Sequence, residues 1–145
     1  MTDRQVSRSI DVDAPPATVF ELLADPRRHP DLDGSGTVRS AISGPARLSL
    51  GSRFGVGMRL RLPYRITNTV VEFEEGRLIA WRHAARHRWR YELEPTATGG
   101  TRVTETFDWS TALMPALIDR SGFPTLNARG IEQTLPRLKA LAEAS

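Results

Sequence analysis

The chain contains no cysteine, which excludes disulfides and thiolate nucleophiles alike and suits a reducing compartment. The opening MTDRQVSRS lacks the apolar core of a secretory signal, so a cytoplasmic location is expected. No stretch approaches the ~18 uninterrupted apolar residues of a membrane span. Lysine is almost missing: of the 20 basic residues only Lys139 is a lysine, and the arginines alternate with acids at a net charge of +3. Without a basic block, no nucleic-acid partner is expected. Serine/histidine/acid and cysteine nucleophile patterns are lacking too, so covalent catalysis is not expected. Repeats, low-complexity tracts and linkers are absent, and 145 residues make one domain, 1–145, either monomeric or a homodimer.

What is present is a clear order of elements. RQVSRSIDV, residues 4–12, alternates as a strand. DAPPATVFELLAD then offers Asp13 as an N-cap, prolines at a helix start and an inward stripe of Val19, Phe20, Leu22 and Leu23, closed by Asp25-Pro26. PRRHPDLD holds at most one further turn before Pro30. Strands follow at about 37–43, 53–62, 65–75 and 77–84, and 87–109 is a hairpin turning at Gly99-Gly100. ALMPALIDRSGF is broken by Pro115 and Gly122. After it Ile131, Leu135, Leu138 and Ala142 mark one face of a helix about 20 residues long, in which Pro136 predicts a kink near Glu132.

The two-residue period sorts the strand faces. In WRHAARHRWRYELE, residues 81–94, Trp81, His83, His87, Trp89 and Tyr91 face inward, while Arg88, Arg90, Glu92 and Glu94 face water. A three-residue turn at Ala84-Ala85-Arg86 sets Trp81 opposite Trp89, and the next hairpin pairs Tyr91 with Glu105, Trp89 with Phe107 and His87 with Trp109. A turn at Gly76 pairs Phe73 with Ile79, Val71 with Trp81 and Thr69 with His83. A two-residue turn at Pro63-Tyr64 sets Phe54 by Phe73, Val56 by Val71 and Met58 by Thr69, with Leu60 and Leu62 also inward. These rows describe a curved antiparallel sheet around the C-terminal helix.

The order of strand, short helices, six-stranded meander and long helix, with DVDAPPATVFELLAD, GSRFGVGM, VVEFEEGRLIAWRH and RYELEPTATGGTRVTETFDWS along it, resembles the START/birch-pollen-allergen (SRPBCC) superfamily, closest to its polyketide cyclase/dehydrase-like branch. The resemblance covers nearly the whole chain. It implies an α+β helix-grip fold: a curved seven-stranded antiparallel sheet wrapped around the long C-terminal helix, one or two short helices after the first strand, and a deep apolar cavity between sheet and helix. It also implies a small hydrophobic partner of the polyketide, lipid or aromatic-metabolite kind, with no cofactor. Since such motifs specify fold better than activity, three readings stand: a binding protein, an aromatase/cyclase-like enzyme, or a domain with a collapsed cavity that serves as a partner-binding module.

Three constellations invite chemistry. His83 and His87 share a face but lack further ligands, so no metal site is expected. DLDGSGTVRSAI imitates half a calcium loop with Ile42 where a glutamate belongs, which leaves turn chemistry as its explanation. Glu105 is least explained by packing: an inward carboxylate must be paired, hydrogen-bonded or protonated. Either it orients a ligand or moves a proton with Tyr91 as partner, or it reaches an arginine such as Arg102. The expected ligand site comprises Met58, Trp81, Trp89, Phe107, Trp109 and Ile131 as apolar contacts, with His83, Tyr91 and Glu105 as orienting groups. Glu105 and Tyr91 are the catalytic candidates.

Overall fold

The computed structural model describes residues 3–59 and 61–145, and of Ala41 and Ile42 the backbone alone. Seven strands, β1 (Gln5–Val12), β2 (Val38–Ser43), β3 (Arg53–Arg59), β4 (Pro63–Glu74), β5 (Leu78–Arg82), β6 (Arg88–Pro95) and β7 (Thr101–Asp108), form one antiparallel sheet in the order β1-β7-β6-β5-β4-β3-β2. Between β1 and β2 lie α1 (Pro16–Ala24), a single 3₁₀ turn (Pro26–Arg28) and α2 (His29–Leu32); α3 (Pro115–Asp119) and α4 (Phe123–Glu143) follow the sheet. The meander closes through tight turns with a stated chemistry. Gly99 takes φ +85° between β6 and β7, and Arg86, at φ 67°, ends the β5–β6 turn with its N–H donating to His83 O at 2.9 Å.

Helix α4 buries Ala128, Ile131, Leu135, Leu138 and Ala142, spaced three and four apart, against the concave face. Each such leucine or isoleucine contributes about 1.5–3 kcal/mol. Its far end is tied to β1, where the Lys139 Nζ donates to Asp11 O at 3.0 Å and Glu143 accepts from the Asp13 N–H at 2.7 Å. At its middle the loop after α2 crosses it so closely that a Cβ on Gly34 would sit 2.3 Å from the Gln133 carbonyl carbon. The helix continues as one element through Glu132 and Pro136. Both residues are exposed, so the Glu132 carbonyl that lost its partner faces solvent, which keeps the cost low.

Other local expectations are corrected. The α1 N-cap is Pro15 and not Asp13, whose backbone is engaged by Glu143 instead. Pro30 does not stop the chain, because it occupies the first turn of α2, where no N–H is needed. Pro63 and Tyr64 do not make a turn: Pro63 opens β4, so Met58 pairs with Tyr64, Val56 with Ile66 and Phe54 with Asn68. Leu62, expected inward, is 76% exposed, and Leu60 lies outside the described residues. An irregularity at Val70–Glu72 puts Val70, not Val71, opposite Trp81 and pairs Thr69 with Arg82, one residue off the expected His83.

Candidate functional site

The β5–β6–β7 pairing brings the inward aromatic residues together as the period-two reading requires. Trp81 lies opposite Trp89, Trp89 opposite Phe107, and Ile79, Tyr91 and Glu105 share a row. On the opposite face Arg88 and Arg90 are not freely solvated. Arg88 Nη1 and Arg90 Nη2 donate to Glu72 Oε2 at 2.8 Å, and Arg90 also reaches Asp108, which Gln5 and Ser110 hold from the other side. These guanidinium groups keep the Glu72 carboxyl below its ordinary range.

On the inner face the aromatic side chains pack against one another. Trp81 stacks on His29 at 4.7 Å, and Phe54 meets both edge-on at 5.3–5.5 Å. Tyr91 lies 5.6 Å from Trp81, and Phe107 contacts Trp89, Trp109 and His87 at 5.0–5.5 Å. Trp109 is buried, with its Nε1–H donating to Asp119 of α3 at 2.7 Å. Ile131 of α4 is fully buried. Met58, Trp81, His83 and Trp89 are half-buried.

Two open grooves flank the β3–β4 hairpin. One, of about 490 Å³, takes in Met58 beside Arg39 and Tyr64; the other, about 530 Å³, takes in His83 beside Arg53, Arg65 and Arg82. The structure thus separates Met58 and His83, which border the grooves, from Tyr91, Glu105, Phe107, Trp109 and Ile131, which are interior.

Glu105 is the chemical centre of that interior. It is 3% exposed, and the Tyr91 hydroxyl donates to its Oε2 at 2.9 Å while Oε1 is buried with no hydrogen-bond partner among the described residues. Arg102, the alternative partner, points outward to Asp11 at 3.0 Å. Arg8 pairs with Glu105 across β1 and β7, yet its guanidinium turns away toward Glu132, 3.9 Å off. Among the described residues no cation therefore compensates the carboxyl. Burial pushes its pKa up to about 8, against the Tyr91 hydrogen bond, and the nearby negative charge of Asp33 adds to the rise. Burial together with Glu105 raises Tyr91 well above its ordinary value. At neutral pH Glu105 is mostly the neutral acid. Because Oε2 accepts from Tyr91, the acid proton belongs on the free Oε1.

The histidines around it are neutral for the same reason. Burial lowers His83, and burial with the nearby His83 lowers His87 to about 4; their rings meet edge-on at 4.5 Å. No group of three or more metal-ligating side chains occurs among the described residues. Asp33 accepts from Ser35 and from the Val38 N–H at 2.9 Å, so the calcium-like segment is a side-chain-stapled turn. His29 was missed as a site member. It is buried, with Nε2 against Leu23 O at 2.8 Å, and its only sequence signal is a lone histidine between helix-starting prolines.

Comparison with known proteins agrees with this architecture. Residues 3–143 match the family described as polyketide cyclase / dehydrase and lipid transport. An uncharacterized protein of Mycobacterium tuberculosis (strain H37Rv), Rv0088, is 49% identical over 139 residues; the match takes in 92% of this chain and 62% of that protein, so the chain spans less than two thirds of its relative. Among solved structures, protein CV1439 of Chromobacterium violaceum superposes with a TM-score of 0.74 at 18% identity, covering 98% of this chain and 99% of that one. The AHSA1-like protein of Aeromonas hydrophila gives a TM-score of 0.66 at 20% identity, with 97% and 92% covered. With a helix gripped by a seven-stranded sheet, and a match running almost from end to end, the chain belongs to the polyketide cyclase / dehydrase and lipid transport family.

Proposed function

We propose that the protein binds a small apolar molecule bearing a hydrogen-bond acceptor, of the ketone or other carbonyl kind, between the sheet and α4, with Glu105 as the group that orients it. One observation carries this reading: a buried carboxyl with one oxygen committed to Tyr91 and the other unpartnered. An unsatisfied buried polar atom costs about 1–3 kcal/mol, a cost that a ligand carbonyl accepting the Oε1 proton would remove. The surrounding Trp81, Trp89 and Phe107 suit an aromatic or polycyclic body. Their packing against one another implies that binding displaces half-buried members such as Trp89, while fully buried Phe107 and Ile131 stay as walls.

The test compares 2-acetylnaphthalene with 2-isopropenylnaphthalene, which has a methylene in place of the carbonyl oxygen, by calorimetric titration. The ketone should bind about tenfold tighter or more at pH 6 and lose that advantage above pH 8 as Glu105 ionises. Glu105→Gln, which keeps an N–H donor, should retain the preference at both pH values, and Glu105→Leu should abolish it. Equal binding of the two compounds at pH 6 would sink the assignment. A Trp81→Phe/Trp109→Phe variant leaves Trp89 as the sole indole, and quenching of its fluorescence reports whether it meets the ligand.

The second reading, an aromatase/cyclase-like enzyme, is favoured by the same carboxyl, because an acid with pKa about 8 can give and retake a proton near neutrality. In that reading Glu105 donates its proton to the oxygen of a bound ketone, the carboxylate so formed takes the α-proton as the enol forms, and cavity shape selects the ring-closing conformer. Glu105→Gln divides the two: turnover lost with binding retained supports the enzyme, and turnover that survives removes Glu105 as its acid.

A further inference from the structure

In an antiparallel meander, alternate connections leave the sheet at the same end. The β3–β4 tip around Arg61 and Leu62, the β5–β6 turn, the exit of β7 and the start of α4 therefore share one end of this molecule. The Leu113 N–H donates to Ala85 O at 3.1 Å, and Thr111 Oγ1 to Arg86 O at 2.7 Å, fixing the α3 segment to the β5–β6 turn. At this end Leu62, Leu113, Met114, Leu117, Phe123 and Leu126 are each more than half exposed. Only Leu50, of the other large exposed hydrophobic side chains among the described residues, lies at the opposite end, so the exposure is concentrated and not scattered.

Beside this apolar patch, where the β3–β4 hairpin overhangs the β5–β6 turn, runs the 530 Å³ groove with Arg53, Arg65, Arg82, Arg86, Thr67 and Thr69 on its walls. Among the described residues none of these four arginines has an acidic partner within ion-pair distance, whereas Arg88, Arg90 and Arg102 elsewhere on the sheet are paired. The alternation of arginines with acids expected for the chain as a whole fails here. Between Asp33 and Glu72 stand six arginines and no acid, and between Glu75 and Glu92 five more.

A second copy fits such a face poorly, because a two-fold axis would set its arginines against themselves. An anionic bilayer satisfies both halves, with acyl chains at the interface for the leucines and phenylalanine and headgroup phosphates for the arginines. We infer that this end of the molecule docks on an anionic lipid bilayer, the apolar side chains of α3 and the first turns of α4 entering the interface while the arginine groove meets lipid phosphates. The inference is independent of Glu105, since vesicle association reads it without any interior ligand.

Flotation of the full chain with vesicles tests it, using phosphatidylcholine alone and phosphatidylcholine with about one third phosphatidylglycerol. Association with the anionic vesicles only, weakening as salt rises, is the expected result. Leu117→Asp/Phe123→Asp should lower partitioning about tenfold or more, and Arg65→Gln/Arg86→Gln about twenty-five-fold, at roughly fivefold per arginine. Arg77→Glu, exposed at the opposite end, should leave it unchanged. All five positions are exposed, and circular dichroism with thermal melts confirms folding; Leu117→Ser/Phe123→Ser serves if the aspartates unfold the chain. Equal partitioning onto neutral vesicles, no association with either, or patch variants that bind like wild type each overturn the inference. So does a solution dimer that Leu117→Asp/Phe123→Asp dissociates without any vesicle association, which assigns the face to a second copy.

Discussion

Glu105 and the histidines set opposite pH dependences, which makes one residue separable from the rest. The folded-state pKa of Glu105 is raised from 4.5 to about 8, so its stabilising contribution is whole below pH 4.5 and is lost as pH rises through 8. His29, His83 and His87 are lowered from 6.5, so theirs is present above pH 6.5 and lost on acidification, for His87 toward pH 4. Between pH 6.5 and 8 Glu105 is therefore the dominant titration of this cluster. Urea midpoints of the wild type should fall across that window, and those of Glu105→Gln should stay flat; parallel slopes would show that Glu105 is not the neutral buried acid. The inward side of Glu105 was legible from two-residue alternation. Its lack of an arginine was not, because Arg8 and Arg102 sit beside it in register or sequence and only their actual rotamers, toward Glu132 and Asp11, decide the matter.

Elements whose pattern is long and regular were readable, and their joints were not. The α4 face came directly from residues three and four apart, and Leu138→Ala should cost about 2–5 kcal/mol by denaturant titration, since that side chain is fully buried. Pro136→Ala should raise stability by about 1–3 kcal/mol, because the helix already runs through this exposed position and the alanine restores the bond to the Glu132 carbonyl. No gain would mean that the proline's restriction of the unfolded chain offsets the lost bond. The β3–β4 joint was misread because Pro63-Tyr64 looks like turn chemistry, whereas a proline is equally at home as the first residue of a strand. Moving that turn shifts every pair in the hairpin and turns Leu62 outward, which is how a residue assigned to the core became part of the exposed end.

Across the whole molecule stability is unevenly distributed. Helix α3 has no buried residue, while the second half of α4 is held by Thr134, Leu135, Leu138 and Ala142. Amides of residues 113–122 should exchange with deuterium well before those of 134–142, and anionic vesicles should slow exchange in the former segment only. Uniform exchange along 113–142 would remove the idea of a loosely held end.

The sequence by itself determined the fold class, the strand count and the inward face of the β5–β6–β7 strands, because side-chain periodicity and turn residues are local and each is repeated along the chain. Tertiary structure alone decided which buried polar atom is left without a partner, which arginines find acids, and that a groove of four arginines without acidic partners lies beside the exposed apolar side chains of one end. Those outcomes depend on residues far apart in the chain meeting, or failing to meet, at hydrogen-bonding distance, and no local pattern records that distance.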